Sequence, residues 1–119
     1  MKREIVSSGI NPQGPYSPAV MVGDWVFISG QLGITEGTTD IKEQTRRALE
    51  KVALLLKEAG LSMDNVVKVT LFIKEGEDFS QVNEVYSEFF HKVYPARSTV
   101  FVSSLPKNAL IEIEAVARR

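Results

Sequence analysis

The stretch "VVKVTLFIK", residues 66–74, reads as a β-strand, and its two sides decide the fold. Strand alternation places Val67, Val69, Leu71 and Ile73 on one side, with Val66, Thr70 and Phe72 on the other. A strand with one solvated face carries polar residues at every second position. This one does not. Residues 25–29, "WVFIS", behave alike, setting Trp25 and Phe27 opposite Val26 and Ile28. Both faces of such a sheet need cover.

Working outward from this strand, two amphipathic helices are available to supply one cover. The first runs from Asp40 to about Ala59, where Asp40 and Glu43 resemble a capping box and Gly60 is placed to end the helix. Its apolar stripe is Ile41, Ala48, Leu49, Val52, Leu55, Leu56 and Ala59, and its solvated side offers the pairs Glu43/Arg47 and Arg46/Glu50. The second helix spans about 78–93, burying Phe79, Val82, Tyr86, Phe89, Phe90 and Val93, with Pro95 beyond it. Upstream, "REIV" (3–6) is a short strand and residues 11–19 form a loop held by prolines. "AVMVG" and "WVFIS" make a hairpin around Gly23-Asp24, followed by the loop "GQLGITEGTTD" (30–40). Strands 97–103 and 110–117 close the chain.

This order predicts an α+β fold over residues 1–119, one domain with a mixed six-stranded sheet. Right-handed crossovers put both helices on the same face. The opposite face is then left apolar, and a second copy of the chain is its simplest cover, giving a homo-oligomer. Long loops folded over that face in a monomer are the alternative.

Bulk properties exclude several classes of function. A net charge of −1 gives no electrostatic footprint for nucleic acid or anionic membrane. With no cysteine and one histidine, disulfides, thiol nucleophiles and zinc sites are not expected. His91 falls near the end of the second helix, off its apolar stripe, where the helix dipole favours a surface imidazole. No apolar segment has the length of a membrane span, and "MKREIVSSG" lacks the apolar core of a secretory signal. The chain reads as cytoplasmic. Its chemistry must run on Arg, Glu, Tyr, Ser, Thr and backbone groups.

Arg97 is the first candidate. In "PARSTVFV" (95–102) it shares a strand face with Thr99 and Phe101, where an unpaired guanidinium is costly to bury. It points either into water or toward an anion. In "LIEIEAVA" (110–117) Glu112 and Glu114 occupy the face opposite Ile111 and Ile113. Interfacial salt bridges account for Glu114, while Glu112 is open to a structural or a chemical role. Asn83 falls on the buried stripe of the second helix, where its amide either ties the helix to nearby backbone or meets a ligand. Tyr16 sits in the proline-rich loop, and Ser29-Gly30 ends a strand with a residue that permits close approach to the backbone.

Together, "GPYSPA", "VFISGQ", "LKEAG", "VVKVTLFI", "FSQVNEVYSEFF", "PARS" and "LPKNALIEIEA" resemble the Rid family of reactive-intermediate imine deaminases, also called the YjgF type. The resemblance spans nearly the whole chain, and the spacing between "PAR" and "IEIE" is its most specific part. It implies a chorismate-mutase-like fold, a homotrimer around a central β-barrel, and a ligand site in each subunit cleft. It further implies hydrolysis of imino or enamine acids such as 2-aminoacrylate to keto acids and ammonia, without metal or cofactor. Arg97 would hold the substrate carboxylate and Glu112 the attacking water. Tyr16, Ser29, Gly30, Asn83 and Thr99 match positions lining or supporting the pocket.

Three positions depart from the family pattern. Thr99 stands where many relatives have cysteine, Pro18 replaces a common glutamine, and Lys51 replaces a common asparagine. The alternatives to an imine deaminase are a trimeric small-molecule binder or a holdase-like protein. Chorismate-mutase-type isomerisation lacks the several cations it needs, and ribonuclease activity lacks a basic patch and a histidine pair.

Overall fold

The computed structural model describes residues 1–37 and 40–119. It contains strands β1 (Lys2–Ile5), β2 (Ala19–Val22), β3 (Trp25–Leu32), β4 (Val66–Lys74), β5 (Ala96–Val102) and β6 (Ile111–Arg118). Helix α1 (Ile41–Glu58) lies between β3 and β4, and α2 (Phe79–Ser87) between β4 and β5. The strands form one sheet in the order β1-β2-β3-β6-β4-β5. Only β4 and β5 run parallel; every other neighbouring pair is antiparallel. This is the mixed six-stranded α+β sheet that the sequence predicts, with β6 occupying a central place.

Both helices pack against one face. α1 buries Leu49, Val52, Leu55 and Leu56, and α2 buries Val82 and Val85, against Val26, Val69, Leu71, Ile73, Ile111 and Ile113 of the sheet. Each fully buried aliphatic side chain contributes about 1.5–3 kcal/mol, so this layer dominates the stability. The Asp40 carboxylate accepts the Lys42 N–H at 3.1 Å and caps α1. Glu43 turns to Arg47 at 2.8 Å, the expected pair. Arg46, expected to meet Glu50, reaches instead to Glu88 at 3.3 Å, and Lys42 meets Glu84 at 3.3 Å, so the pairs bridge the helices. Gly60, at φ 78°, supplies the left-handed stop after Ala59.

The second helix is shorter than its apolar spacing predicts. It ends at Ser87, because Glu88 and Phe89 donate to the carbonyls of Val85 and Tyr86 in a tightening last turn. Val93, expected in the core, is 89% exposed. Residues 88–95 must instead carry the chain back so that β5 can lie parallel to β4. Stacking of Phe90 between Tyr86 (4.8 Å) and Tyr94 (6.3 Å) holds that return. The loop expected from Gly30 begins later, since β3 continues to Leu32; its Thr38 and Thr39 lie outside the described residues.

Two bulges interrupt the alternation. In β4, Val66 pairs with Ala117 but Lys68 pairs with Val116, leaving Val67 as the extra residue. Val66 is therefore buried on the helix side and Val67 is exposed, the reverse of the regular pattern. In β3, Ile28 pairs with Ala115 and Gln31 with Ile113, so Ser29-Gly30 carries one residue too many. Just after it, Gly33 lies directly against α1. A Cβ there would come within 2.6 Å of the Gln44 carbonyl carbon. Gly33→Ala is expected to cost about 3 kcal/mol, because backbone and not a yielding side chain stands in the way. Urea unfolding would show it as a lowered midpoint; an unchanged midpoint would mean that α1 can lift freely.

The other face carries Val22, Trp25, Phe27, Val67 and Val100, all exposed in the single chain. The two-sided apolarity read from 66–74 and 25–29 is thus present, and the described loops leave these five side chains exposed.

Candidate functional site

Strand register places the candidate residues on opposite sides of the sheet. On the helix side, Ala19, Ile28, Ala115, Val69 and Arg97 form one row across five strands. The first four are buried, and Arg97 terminates the row on the edge strand β5. Its guanidinium lies over the Tyr86 ring at 4.8 Å and the Phe79 ring at 5.5 Å. These aromatic faces from α2 attract the cation and fix its plane. No carboxylate among the described residues pairs with it.

Arg97 shares a hollow of about 270 Å³ with Asn83, Tyr86, Ser87, Tyr94 and Pro95. Asn83 is half-buried, and its amide makes no hydrogen bond among the described residues, so it does not tie α2 to backbone. Thr99 lies two residues along β5 on the same side, opposite Leu71. Tyr86 enters this site although its spacing marks it as core. Its hydroxyl is buried without a partner, and burial pushes its pKa up to about 12 despite the opposing influence of Arg97. Tyr86→Phe is expected to stabilise the protein by about 1 kcal/mol, since an unsatisfied hydroxyl is removed. A loss in thermal unfolding would instead show that the hydroxyl finds a partner in solution.

Glu112 lies on the other side. Its row is Leu32, Glu112, Phe72 and Val100, so an apolar neighbour flanks the carboxylate on each adjoining strand. Burial in this row raises its pKa above the ordinary carboxyl value, and Glu114 adds to the rise. Gly30 makes room for it: a Cβ on Gly30 would sit 2.6 Å from the Glu112 Cδ. The bulge in β3 thus delivers a residue without a side chain beneath the carboxylate.

Glu112, Tyr16, Ser29 and Gly30 share a cavity of about 540 Å³ with Gln13 and Lys107. The loop that brings Tyr16 here is pinned by Ser29, whose hydroxyl donates to the Ser17 carbonyl at 2.7 Å and whose N–H donates to Pro18 at 2.9 Å. The Gln13 N–H donates to the Tyr16 hydroxyl at 3.2 Å. Gln13 and Lys107 are site residues that the sequence reading did not single out; only their places inside "NPQGPYSPA" and "LPKNA" point to them.

One chain therefore brings together Tyr16, Ser29, Gly30 and Glu112, and separately Asn83 and Arg97, with Thr99 on the Arg97 side. It does not bring Arg97 to Glu112. Among the described residues no group of three or more His, Asp or Glu residues is placed to hold a metal ion. His91 lines a third hollow with Asp64 and Glu88. Among the described residues no helix is long and apolar enough to cross a membrane.

The chain matches known proteins along most of its length. A family model described as endoribonuclease L-PSP matches residues 6–119. The chain is 47% identical to a RutC family protein of Pyrococcus abyssi, over 98% of each chain. It is 41% identical to a 2-iminobutanoate/2-iminopropanoate deaminase of Dermatophagoides farinae, covering 96% of this chain and 94% of that one. The solved structure of YyfA from Yersinia pestis, described as a Rid family protein of unknown function, superposes with a TM-score of 0.92 at 40% identity over the whole of both chains. A match over nearly the full length and on the same fold places this chain in the Rid family.

Proposed function

We propose that this protein hydrolyses small 2-imino acids and their enamine tautomers, such as 2-iminopropanoate, 2-iminobutanoate and 2-aminoacrylate, to 2-keto acids and ammonia. The observation that carries the reading is a matched pair of unsatisfied groups. Arg97 is a cation held on aromatic rings with no carboxylate partner, and Glu112 is a carboxylate of raised proton affinity over an open cavity. The first suits a substrate carboxylate, which the guanidinium fork grips by two parallel hydrogen bonds. The second suits a base for water. A relative of similar length named for this reaction supports the substrate class.

Because the two groups lie on opposite faces of one sheet, the working site is assembled from two copies in a homotrimer. One copy contributes Arg97, Asn83 and Thr99; its neighbour contributes Glu112, Tyr16, Ser29 and Gly30. The exposed row of Trp25, Phe27, Val67 and Val100 supplies apolar surface for that assembly. In the reaction, Glu112 accepts a proton from water as the oxygen bonds to the imine carbon. The resulting carbinolamine takes that proton on nitrogen, leaving Glu112 ionised again; the C–N bond then breaks and ammonia leaves as Glu112 accepts the hydroxyl proton and the carbonyl forms. An enamine is first protonated at carbon to enter as the imine. The iminium carbon is already electrophilic, so positioning supplies much of the acceleration.

The test is to generate 2-aminoacrylate in place from serine with a dehydratase and time keto-acid release with and without the protein. Acceleration supports the deaminase. Saturable keto-acid binding without acceleration would make the protein a small-molecule binder. RNA cleavage, which the family model's description suggests, finds no support in a chain of net charge −1 whose one histidine lies outside both hollows.

A further inference from the structure

A second cavity adjoins the Glu112 hollow and has a different electrostatic character. It holds about 220 Å³ beneath the loop of residues 9–18. Its walls include Ile10, Pro12 and Ile34, and two lysines face it, Lys51 from α1 and Lys107 from the turn before β6. Neither lysine makes an ion pair among the described residues. Lys51 sits one turn beyond Ala48 on the margin of the buried stripe, so its stem is packed and its ammonium is partly withdrawn from water. Burial, and then the neighbouring Lys107, weaken its hold on its proton. Two cations left facing each other across a cavity are unfavourable unless an anion sits between them.

Lys107 is held there at some cost in backbone energy. It and Asn108 both adopt the left-handed conformation, each at φ 57°, which is unusual for residues with side chains. The two cavities are neighbours, with Gln13, Tyr16, Gly30, Leu32 and Lys107 lining both. An anion between the lysines would therefore lie beside the cavity that Glu112 lines.

We propose that Lys51 and Lys107 form a subsite for the distal carboxylate of a dicarboxylic 2-imino acid, so that this chain accepts imines derived from acidic amino acids as well as apolar ones. The inference rests on the deaminase reading. Oxidation or dehydrogenation of an acidic amino acid at its amine is the class of reaction that would supply such a substrate.

The test compares two five-carbon product analogues, 2-oxopentanedioate and 2-oxopentanoate, which differ only in the distal carboxylate. Calorimetric titration of the assembled protein is expected to show the dioate binding about tenfold more tightly or better, as a charge-assisted contact provides. Lys51→Gln and Lys107→Gln should each remove most of that preference, Lys51→Gln should leave 2-oxopentanoate binding unchanged, and Lys51→Arg should keep the preference. Equal binding of the two acids by the wild type, or a preference that survives both glutamine variants, would overturn the subsite. So would inorganic phosphate binding through the two lysines with no preference for the dioate, which would make the cavity a free-anion site. If 2-oxopentanoate binds in an Arg97-dependent manner without a dioate preference, only the subsite fails. If neither acid binds, the deaminase reading falls with it.

Discussion

Replacing Arg97 with alanine is expected to lower kcat/KM for 2-iminopropanoate by at least about 100-fold, through loss of a bidentate charge-assisted contact and of the orientation it imposes. The fold should be unaffected. Arg97 makes no ion pair among the described residues, and its row partners Val69, Ala115 and Ile28 stay packed without it. Arg97→Lys keeps the charge but loses the planar fork and its stacking on Tyr86, so about a tenfold loss should remain. Steady-state rates with in-place imine generation, together with an unfolding curve for each variant, check both statements. An alanine variant retaining more than about a tenth of wild-type kcat/KM would place the substrate carboxylate elsewhere, because one such contact is worth more than that factor.

Glu112→Gln is expected to lower kcat by about 100-fold or more while leaving keto-acid binding close to wild type, since the amide cannot accept the water proton. The pH profile should carry the same signature. Burial and Glu114 raise the Glu112 pKa above its ordinary 4.5, so wild-type activity should fall on acidification at a pH above that value. Stability follows the opposite sense. The native state holds the Glu112 proton more tightly than the unfolded chain does. The linked stabilisation is fully present below about pH 4.5 and is lost as pH rises through the raised value. The glutamine variant should lack that dependence.

Mixing the two inactive proteins tests the assembly directly. If Arg97 and Glu112 come from neighbouring copies of a trimer, co-expressed Arg97→Ala and Glu112→Gln chains should recover about a quarter of wild-type activity. Every mixed trimer then contains one intact pairing in three. A site contained within one chain would recover none.

Some of this was open to reading in the sequence, and the limits have physical causes. The apolar character on both sides of 66–74 announces a sheet needing two covers, because strand periodicity is a local property. Asp40 and Gly60 mark the ends of α1 for the same reason: caps act within one turn. The end of α2 was hidden because Phe89, Phe90 and Val93 continue a helical spacing, and only the return path to a parallel β5 shows that the helix must stop early. The bulges at Val67 and at Ser29-Gly30 are invisible in composition, since an extra residue shows only against its partner strand. Gly33 gave no signal, because its constraint is the backbone of Gln44, eleven positions away. Arg97 and Glu112 were legible as candidates, but their placement on opposite faces was not. Side is set by register across three strands, and register is a property of the folded sheet.

The central place of β6 has a consequence in time. The strand that separates β3 from β4 is made only after residues 33–110, so the nascent hairpin of β2 and β3 waits with one edge unpaired and apolar. The row of side chains that brings Arg97 to the end of a buried line does not exist until β6 slides between its neighbours. The last segment also fastens the structure, with the Arg119 N–H donating to the Asp24 carbonyl at 2.8 Å and Asn65 donating to the Arg118 carbonyl at 3.2 Å. A chain without β6 would therefore display a half-sheet with an unpaired apolar edge, and insertion of β6 is the event that joins the two halves into one sheet.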